Sequence, residues 1–244
     1  MRSGPSEQWN DGRTKTGFSW FSALLFRRFW DFFRANLILL AGIFPGILLT
    51  IWGIWGHSFP VVLLGGAVGG LAGGPLLCGL YGTILRAMRE EPGFWSLSYK
   101  WTLKQNWRDA LLPGAVFGLL LSLWLFVAVA LGVQGPVSPA TVFILAEVLF
   151  FVLGLSAYVF PQIIMVRVST RNMYFNSIRL LIGLLPRSAA SAAAQTVYWG
   201  GFLLLLPRSV PTLIVTGFWF PSLLSMILLR RPMEERLYSD KEVE

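Results

Sequence analysis

Six long apolar stretches divide this chain, and its basic residues occupy alternate connections between them. The stretches run roughly over residues 37–55, 61–85, 111–131, 140–166, 188–206 and 210–229. Of the 20 Lys and Arg residues, all but Arg208 lie before the first stretch, in the second and fourth connections, or after the last stretch. Loops on the cytoplasmic face of a membrane carry the excess of Lys and Arg. The alternation therefore predicts an all-α, six-span membrane helix bundle with both termini in the cytoplasm.

The composition favours a membrane protein over a soluble one. The mean hydropathy is +0.63 and only 13% of the residues are charged, whereas a soluble domain carries about 25%. A net charge of +8 could indicate nucleic-acid binding, but the basic residues flank apolar stretches. Attraction to the anionic lipids of the inner leaflet explains such flanking charges. We therefore expect membrane lipids, and not nucleic acid, as partners.

The residues around the apolar stretches define four segments. Residues 18–34 are rich in Phe and Trp and place Arg27, Asp31 and Arg34 on one stripe of a helix. This pattern predicts an amphipathic helix in the interface plane, or alternatively a first span extended as one aromatic-rich helix. We divide the chain into a disordered cytoplasmic arm (1–17), an interfacial helix (18–34), a six-span domain (35–231) and a cytoplasmic tail (232–244).

Two rows of glycine run along the second apolar stretch. The rows are Gly65, Gly69 and Gly73, and Gly66, Gly70 and Gly74. A spacing of four residues places each row on one face of a helix. Small residues let helix backbones approach closely in lipid, so we expect this helix at the centre of the bundle or at a homo-oligomer interface. The alternative is that Gly73–Pro75 breaks the helix and exposes backbone carbonyl groups to a substrate.

Glu147 is the only acidic residue within the six stretches. It lies roughly 12 Å from the outer end of the fourth stretch, at about 1.5 Å per residue. Ionisable residues at such depth usually face the bundle interior or a wet cavity, which makes Glu147 a candidate functional residue. The alternative is a structural carboxyl group hydrogen-bonded to the fifth stretch, where Gln195 and Tyr198 lie at a suitable depth.

The chain lacks the residue sets of common catalytic and metal sites. It has one histidine, His57, in a predicted outer turn, and one cysteine, Cys78, within the second stretch. These residues cannot complete a zinc site or a Ser/His/Asp or Cys/His set. Neither GxxxxGK[ST] nor HExxH occurs in the sequence. We therefore expect no enzyme activity, no metal and no cofactor.

Two basic connections predict a cytoplasmic surface for lipid or protein partners. Lys and Arg near the inner leaflet attract anionic headgroups, and amphipathic helices in these connections could also dock on another membrane protein. The residues of this surface are Arg86, Arg89, Lys100, Lys104 and Arg108 in the second connection, and Arg167, Arg171 and Arg179 in the fourth.

Residues 36–48 and 73–114 resemble the YesL family of bacterial membrane proteins, a domain of unknown function. The matching features are Asn36-Leu37, Pro45, Gly74-Pro75 before Leu80-Tyr81, an exit with Arg86, Arg89, Glu90 and Glu91, and the run Lys104-Gln105-Asn106-Trp107. The glycine rows are longer than we expect of the family. The resemblance implies a bacterial plasma-membrane protein with an accessory role in carbohydrate uptake or sensing. It implies an ABC-transporter component or a two-component sensor as partner, and it supplies no catalytic residue.

Two main hypotheses about function follow. The first is an accessory or regulatory membrane protein that docks on a transporter or sensor. The second is a small solute transporter or channel subunit with a path near Glu147 and Gly73–Pro75. An intramembrane enzyme is a third hypothesis, which lacks a catalytic motif. The first is favoured because a solute path usually needs several polar residues around one cavity, and the stretches offer only Glu147, Gln162 and Gln195 besides hydroxyl groups.

Overall fold

The computed structural model describes residues 18–166 and 170–239, and these residues form helices and no strand. The helices are α1 (Phe18–Trp55), α2 (Phe59–Met88), α3 (Trp95–Val133), α4 (Pro139–Met165), α5 (Thr170–Gly183), α6 (Leu185–Leu204), α7 (Val210–Val215) and α8 (Trp219–Ser239). The predicted all-α class is therefore confirmed for the described residues. The predicted arm at residues 1–17 lies outside them, as do Arg167 and residues 240–244.

Four helices in the described part of the chain, α1 to α4, are long and apolar enough to cross a membrane. The predicted fifth and sixth spans are not among them. The 20 residues of α6 are rich in Ala and Ser and include Gln195, which lowers their hydropathy. The predicted sixth span is divided between the six residues of α7 and the start of α8, whose second half contains the charged run RRPMEER. The described residues thus establish four candidate spans, where the sequence predicted six.

Two of the helices extend well beyond the predicted spans. α1 has 38 residues without interruption, which corresponds to about 57 Å against about 30 Å of hydrocarbon in a bilayer. Residues 18–34 are therefore the first part of a single helix and not a separate interfacial one. The 39 residues of α3 likewise include most of the predicted second connection. The predicted tail at residues 232–244 begins within α8, which continues to Ser239.

Local sequence explains where several helices begin. Proline lies in the first turn of α2, α4 and α6, where its missing amide hydrogen costs little. Before α4, the Ser138 hydroxyl accepts a hydrogen bond from the Thr141 amide at 3.2 Å, as expected of a capping residue. Short turns join α1 to α2 and α3 to α4, so these neighbours run antiparallel.

The buried core lies at the end of the bundle that carries most of the Lys and Arg residues, which we call the basic end. It joins the first half of α1, the second half of α2 and the start of α8, where Phe32, Ile84 and Met226 are fully buried. At the opposite end, large apolar side chains are exposed, among them Trp52 on α1 and Phe143 on α4, at 71% and 69%. Water opposes the exposure of such a surface, whereas lipid does not. This end of the bundle therefore has the surface of a membrane protein.

Candidate functional site

The two glycine rows of α2 face two different helices. A Cβ atom on Gly65 would lie 2.9 Å from the carbonyl oxygen of Gly46 on α1, and one on Gly70 would lie 2.9 Å from the carbonyl carbon of Gly114 on α3. Of the other members, Gly69 and Gly73 face α1, whereas Gly66 and Gly74 face α3. A side chain at most of these positions would push the backbones apart. α2 is therefore the central helix of three and forms a close seam with each neighbour.

The structure has no broken helix at Gly73–Pro75. α2 runs from Phe59 to Met88 with Pro75 inside it. Proline removes one backbone hydrogen bond from a helix, but here α2 is held on both sides. Gly73 lies against Ile43 of α1 and Gly74 lies against α3. This segment therefore does not expose a row of carbonyl groups to a substrate.

A helix break occurs instead between α7 and α8, next to α1. Asn36 of α1 is fully buried against this break. Its Nδ2 donates hydrogen bonds to the carbonyl oxygens of Leu213 and Ile214 at 3.1 and 3.0 Å. Its Oδ1 accepts a hydrogen bond from the amide of Phe218 at 2.9 Å. One amide side chain thus satisfies three backbone groups that belong to the ends of the two helices.

Gly217 allows the chain to turn at this break. Its φ is +25°, a conformation that other residues rarely adopt, and a Cβ there would lie 2.7 Å from Nδ2 of Asn36. Sequence reasoning missed this arrangement, although an amide at the entrance of an apolar span is itself a signal of a buried hydrogen bond. The partner residues lie about 180 positions away in the chain, so no local pattern connects them.

The predicted polar site does not form around Glu147. Glu147 is exposed, whereas Leu149 is buried, and two residues on a helix differ in direction by about 200°. Glu147 therefore points away from the bundle. Nε2 of Gln195 donates to the carbonyl oxygen of Leu153 at 3.5 Å, and the hydroxyl of Tyr198 lies 3.0 Å from Oγ1 of Thr216 beside the helix break. The hydrogen bonds of these two residues join α6 to α4 and to the end of α7.

An apolar cavity of about 300 Å³ lies among α2, α3, α4, α6 and α8. Most of its wall consists of Leu, Phe, Trp and Val side chains. Polar atoms come from a few residues, including Ser156, Gln195 and Ser222, and Phe218 contributes to the wall next to the helix break. A wall of this kind suits an apolar occupant better than a hydrated solute.

The predicted basic surface divides into two groups. Arg86 and Arg89 are engaged within the chain: Nε of Arg86 lies 3.3 Å from Oε2 of Glu91, and Nη2 of Arg89 lies 2.8 Å from Oε1 of Glu234. The Arg89 contact links the end of α2 to α8, and the Arg86 contact joins α2 to the turn that follows it, so both arginines stabilise the fold at this end. The exposed basic residues of the predicted surface are Lys100, Lys104, Arg108, Arg171 and Arg179.

The single histidine and the single cysteine lie in different environments. His57 is exposed in the turn between α1 and α2, and Cys78 is fully buried in the core. Within residues 18–166 and 170–239, no group of three or more His, Cys, Asp or Glu residues is placed to hold a metal ion.

Comparison of the chain with protein-family models, with curated proteins and with solved structures found no match. The resemblance of residues 36–48 and 73–114 to the YesL family therefore stays a prediction. Two residues of that resemblance have defined structural roles here. Asn36 bonds the helix break, and Gly74 forms part of the seam with α3.

Proposed function

We propose that this chain is an accessory membrane protein that binds a larger membrane assembly and does not itself carry a solute. The observation that supports this most directly is the closed packing of α1, α2 and α3 through glycine backbone atoms. Buried amide side chains are also engaged within the chain: Nε2 of Gln162 donates to Oγ of Ser177 at 2.7 Å, as Asn36 and Gln195 donate to backbone oxygens. A hydrated path needs such groups to face one open cavity.

The proposed topology has six spans in a bacterial plasma membrane, with both termini in the cytoplasm. The charge alternation supports the orientation, because basic residues cluster between the second and third stretches, between the fourth and fifth stretches, and from the second half of α8 onward. Although α6 and α8 are less apolar than α1 to α4, both have buried faces. Gln195 of α6 and Leu223 of α8, for example, are buried. Such helices can cross a membrane when protein, and not lipid, covers their less apolar side.

α5 is the helix that we propose as the docking surface for the partner. Its 14 residues lie between α4 and α6 and it is not a candidate span. Met173 and Leu180 are buried against the bundle, whereas Phe175 and Ile182 are exposed at 60% and 64% beside Arg179. The resemblance to the YesL family directs the proposal to an ABC-transporter component or a two-component sensor for carbohydrates.

Photo-crosslinking from native membranes tests this proposal. A photoreactive amino acid replaces Phe175, and the matched control replaces Phe143, which is exposed at the apolar end. We expect position 175 to crosslink to one permease or sensor subunit in near-stoichiometric yield. We expect position 143 to react with lipid. Equal protein crosslinking from both positions, or lipid alone from both, would contradict the docking surface.

A small transporter or channel subunit is the second candidate, favoured by the helix break and the cavity beside it. Discontinuous helices line the substrate sites of many transporters. The path would run along Phe218 and Gln195, because α2 is continuous at Gly73–Pro75 and Glu147 points outward. Solute uptake by liposomes that contain the purified protein, abolished by Gln195→Leu without loss of the fold, would favour this candidate over the accessory role.

A further inference from the structure

A pocket at the basic end of the bundle lies between α1 and the start of α3. Its volume is about 520 Å³, and it is lined by Arg28, Asp31 and Arg34 on α1 and by residues 93–96. It is separate from the apolar cavity described above and from the exposed face of α5. Its charged side chains are two arginines, Arg28 and Arg34, and one carboxylate, Asp31.

Arg34 is the cation of this pocket that has no carboxylate partner among the described residues. The acidic side chains nearby are already paired. Asp31 lies 3.3 Å from Nη1 of Arg28, and Glu91 lies 3.3 Å from Nε of Arg86. Arg34 is exposed and lies over the ring of Trp95, with its Cζ atom 6.0 Å from the ring centroid. The pocket thus retains one positive charge that the chain itself does not balance.

The start of α3 also lines this pocket. The first amide groups of a helix have no acceptor within that helix, and no side chain caps the start of α3. Trp95, which holds Arg34 on one side, is itself fixed by a hydrogen bond from Nε1 to Oγ1 of Thr83 at 3.3 Å. The guanidinium group of an arginine and the free amide groups at the start of a helix are both donors that bind phosphate oxygens.

The position of the pocket matches the headgroup layer of a membrane. Arg34 lies just before the first predicted span, which begins at residue 37. Phe94 lines the pocket and is exposed at 81%, and Trp30, four residues before Arg34 on α1, is exposed at 64%. Exposed aromatic residues next to a span are typical of the membrane–water interface.

We propose that this pocket binds a phosphate group, with Arg34 as its principal ligand, and that an anionic phospholipid is the source of that group. The site is distinct from the diffuse attraction between anionic lipids and the exposed basic residues of α3 and α5, because it binds one headgroup at a defined place. It does not involve the docking face of α5, so this proposal and the accessory role fail in separate experiments.

The test measures the dissociation constants of the purified full-length protein in a neutral detergent at fixed ionic strength. The probes are short-chain phosphatidylglycerol, short-chain phosphatidylcholine and inorganic phosphate. We expect preference for phosphatidylglycerol over phosphatidylcholine, and we expect Arg34→Gln to weaken phosphatidylglycerol binding by about tenfold, which corresponds to one charge-assisted hydrogen-bond pair. The matched control is Arg27→Gln, which removes an exposed charge from the same helix but outside the pocket.

Competition identifies the source of the phosphate group. Displacement of the lipid by millimolar inorganic phosphate would assign the site to free phosphate as well, whereas no displacement would assign it to the lipid headgroup alone. Equal weakening by Arg34→Gln and Arg27→Gln, or no weakening by either, would overturn the proposal. If Arg34→Gln does not fold, Arg34→Lys serves in its place: it keeps the charge but loses the paired donors of arginine, and binding equal to that of the unchanged protein would overturn the proposal.

Discussion

Replacing Asn36 with leucine removes the hydrogen-bonding groups of this residue but keeps a branched side chain at its position. The substitution removes two donors to the carbonyl oxygens of Leu213 and Ile214 and one acceptor for the amide of Phe218. Hydrogen bonds between membrane helices contribute about 0.6 to 1.7 kcal/mol each. Because three bonds are lost at a fully buried position, we expect the free energy of unfolding to fall by about 2–5 kcal/mol.

Unfolding of the purified protein in mixed micelles measures this change. The matched control is Asn172→Leu, because Asn172 is exposed on α5 and its replacement leaves no buried group without a partner. We expect the control to change the free energy of unfolding by less than about 0.5 kcal/mol, as is usual for a surface substitution. If Asn36→Leu also falls within that limit, the amide does not stabilise the helix break and the reasoning is wrong.

Three further predictions concern the seams, the acidic residue and the topology. Gly70→Ala should destabilise the protein by more than about 1 kcal/mol in the same assay, because its Cβ would lie 2.9 Å from a backbone carbon of α3, whereas Gly132→Ala meets nothing within 4 Å and should not. Glu147→Gln should leave stability and any uptake unchanged, since this side chain is exposed; loss of liposome uptake would contradict its outward position. In a cysteine-free background, cysteine at position 57 should be labelled from outside the cell and cysteine at position 100 only from inside, and the reverse pattern would exclude the proposed orientation.

The helical class follows from the sequence because it depends on local properties of the chain. In lipid, every backbone polar group of a span must be bonded within that span, so long apolar stretches form helices wherever they pack. Each of the four stretches that the structure retains as candidate spans lies within one long continuous helix, whereas the sixth stretch is divided between α7 and α8. The spacing of the glycine rows in the sequence also predicts close contact between helices, but it does not identify the helix that each row contacts. One row contacts α1 and the other contacts α3 because α2 lies between these two helices.

The helix break depends on residues that only the tertiary structure brings together. Gly73–Pro75 has the local sequence of a break, yet α2 is continuous there because neighbours hold it on both sides. Gly217 has a weaker local signal, yet the chain turns there because Asn36 bonds the free backbone groups from about 180 residues away. The direction of Glu147 is decided in the same way, by the face of α4 that packs on the bundle. Local sequence thus determines which segments become helices, whereas long-range hydrogen bonds and packing determine where a helix can end inside the bundle.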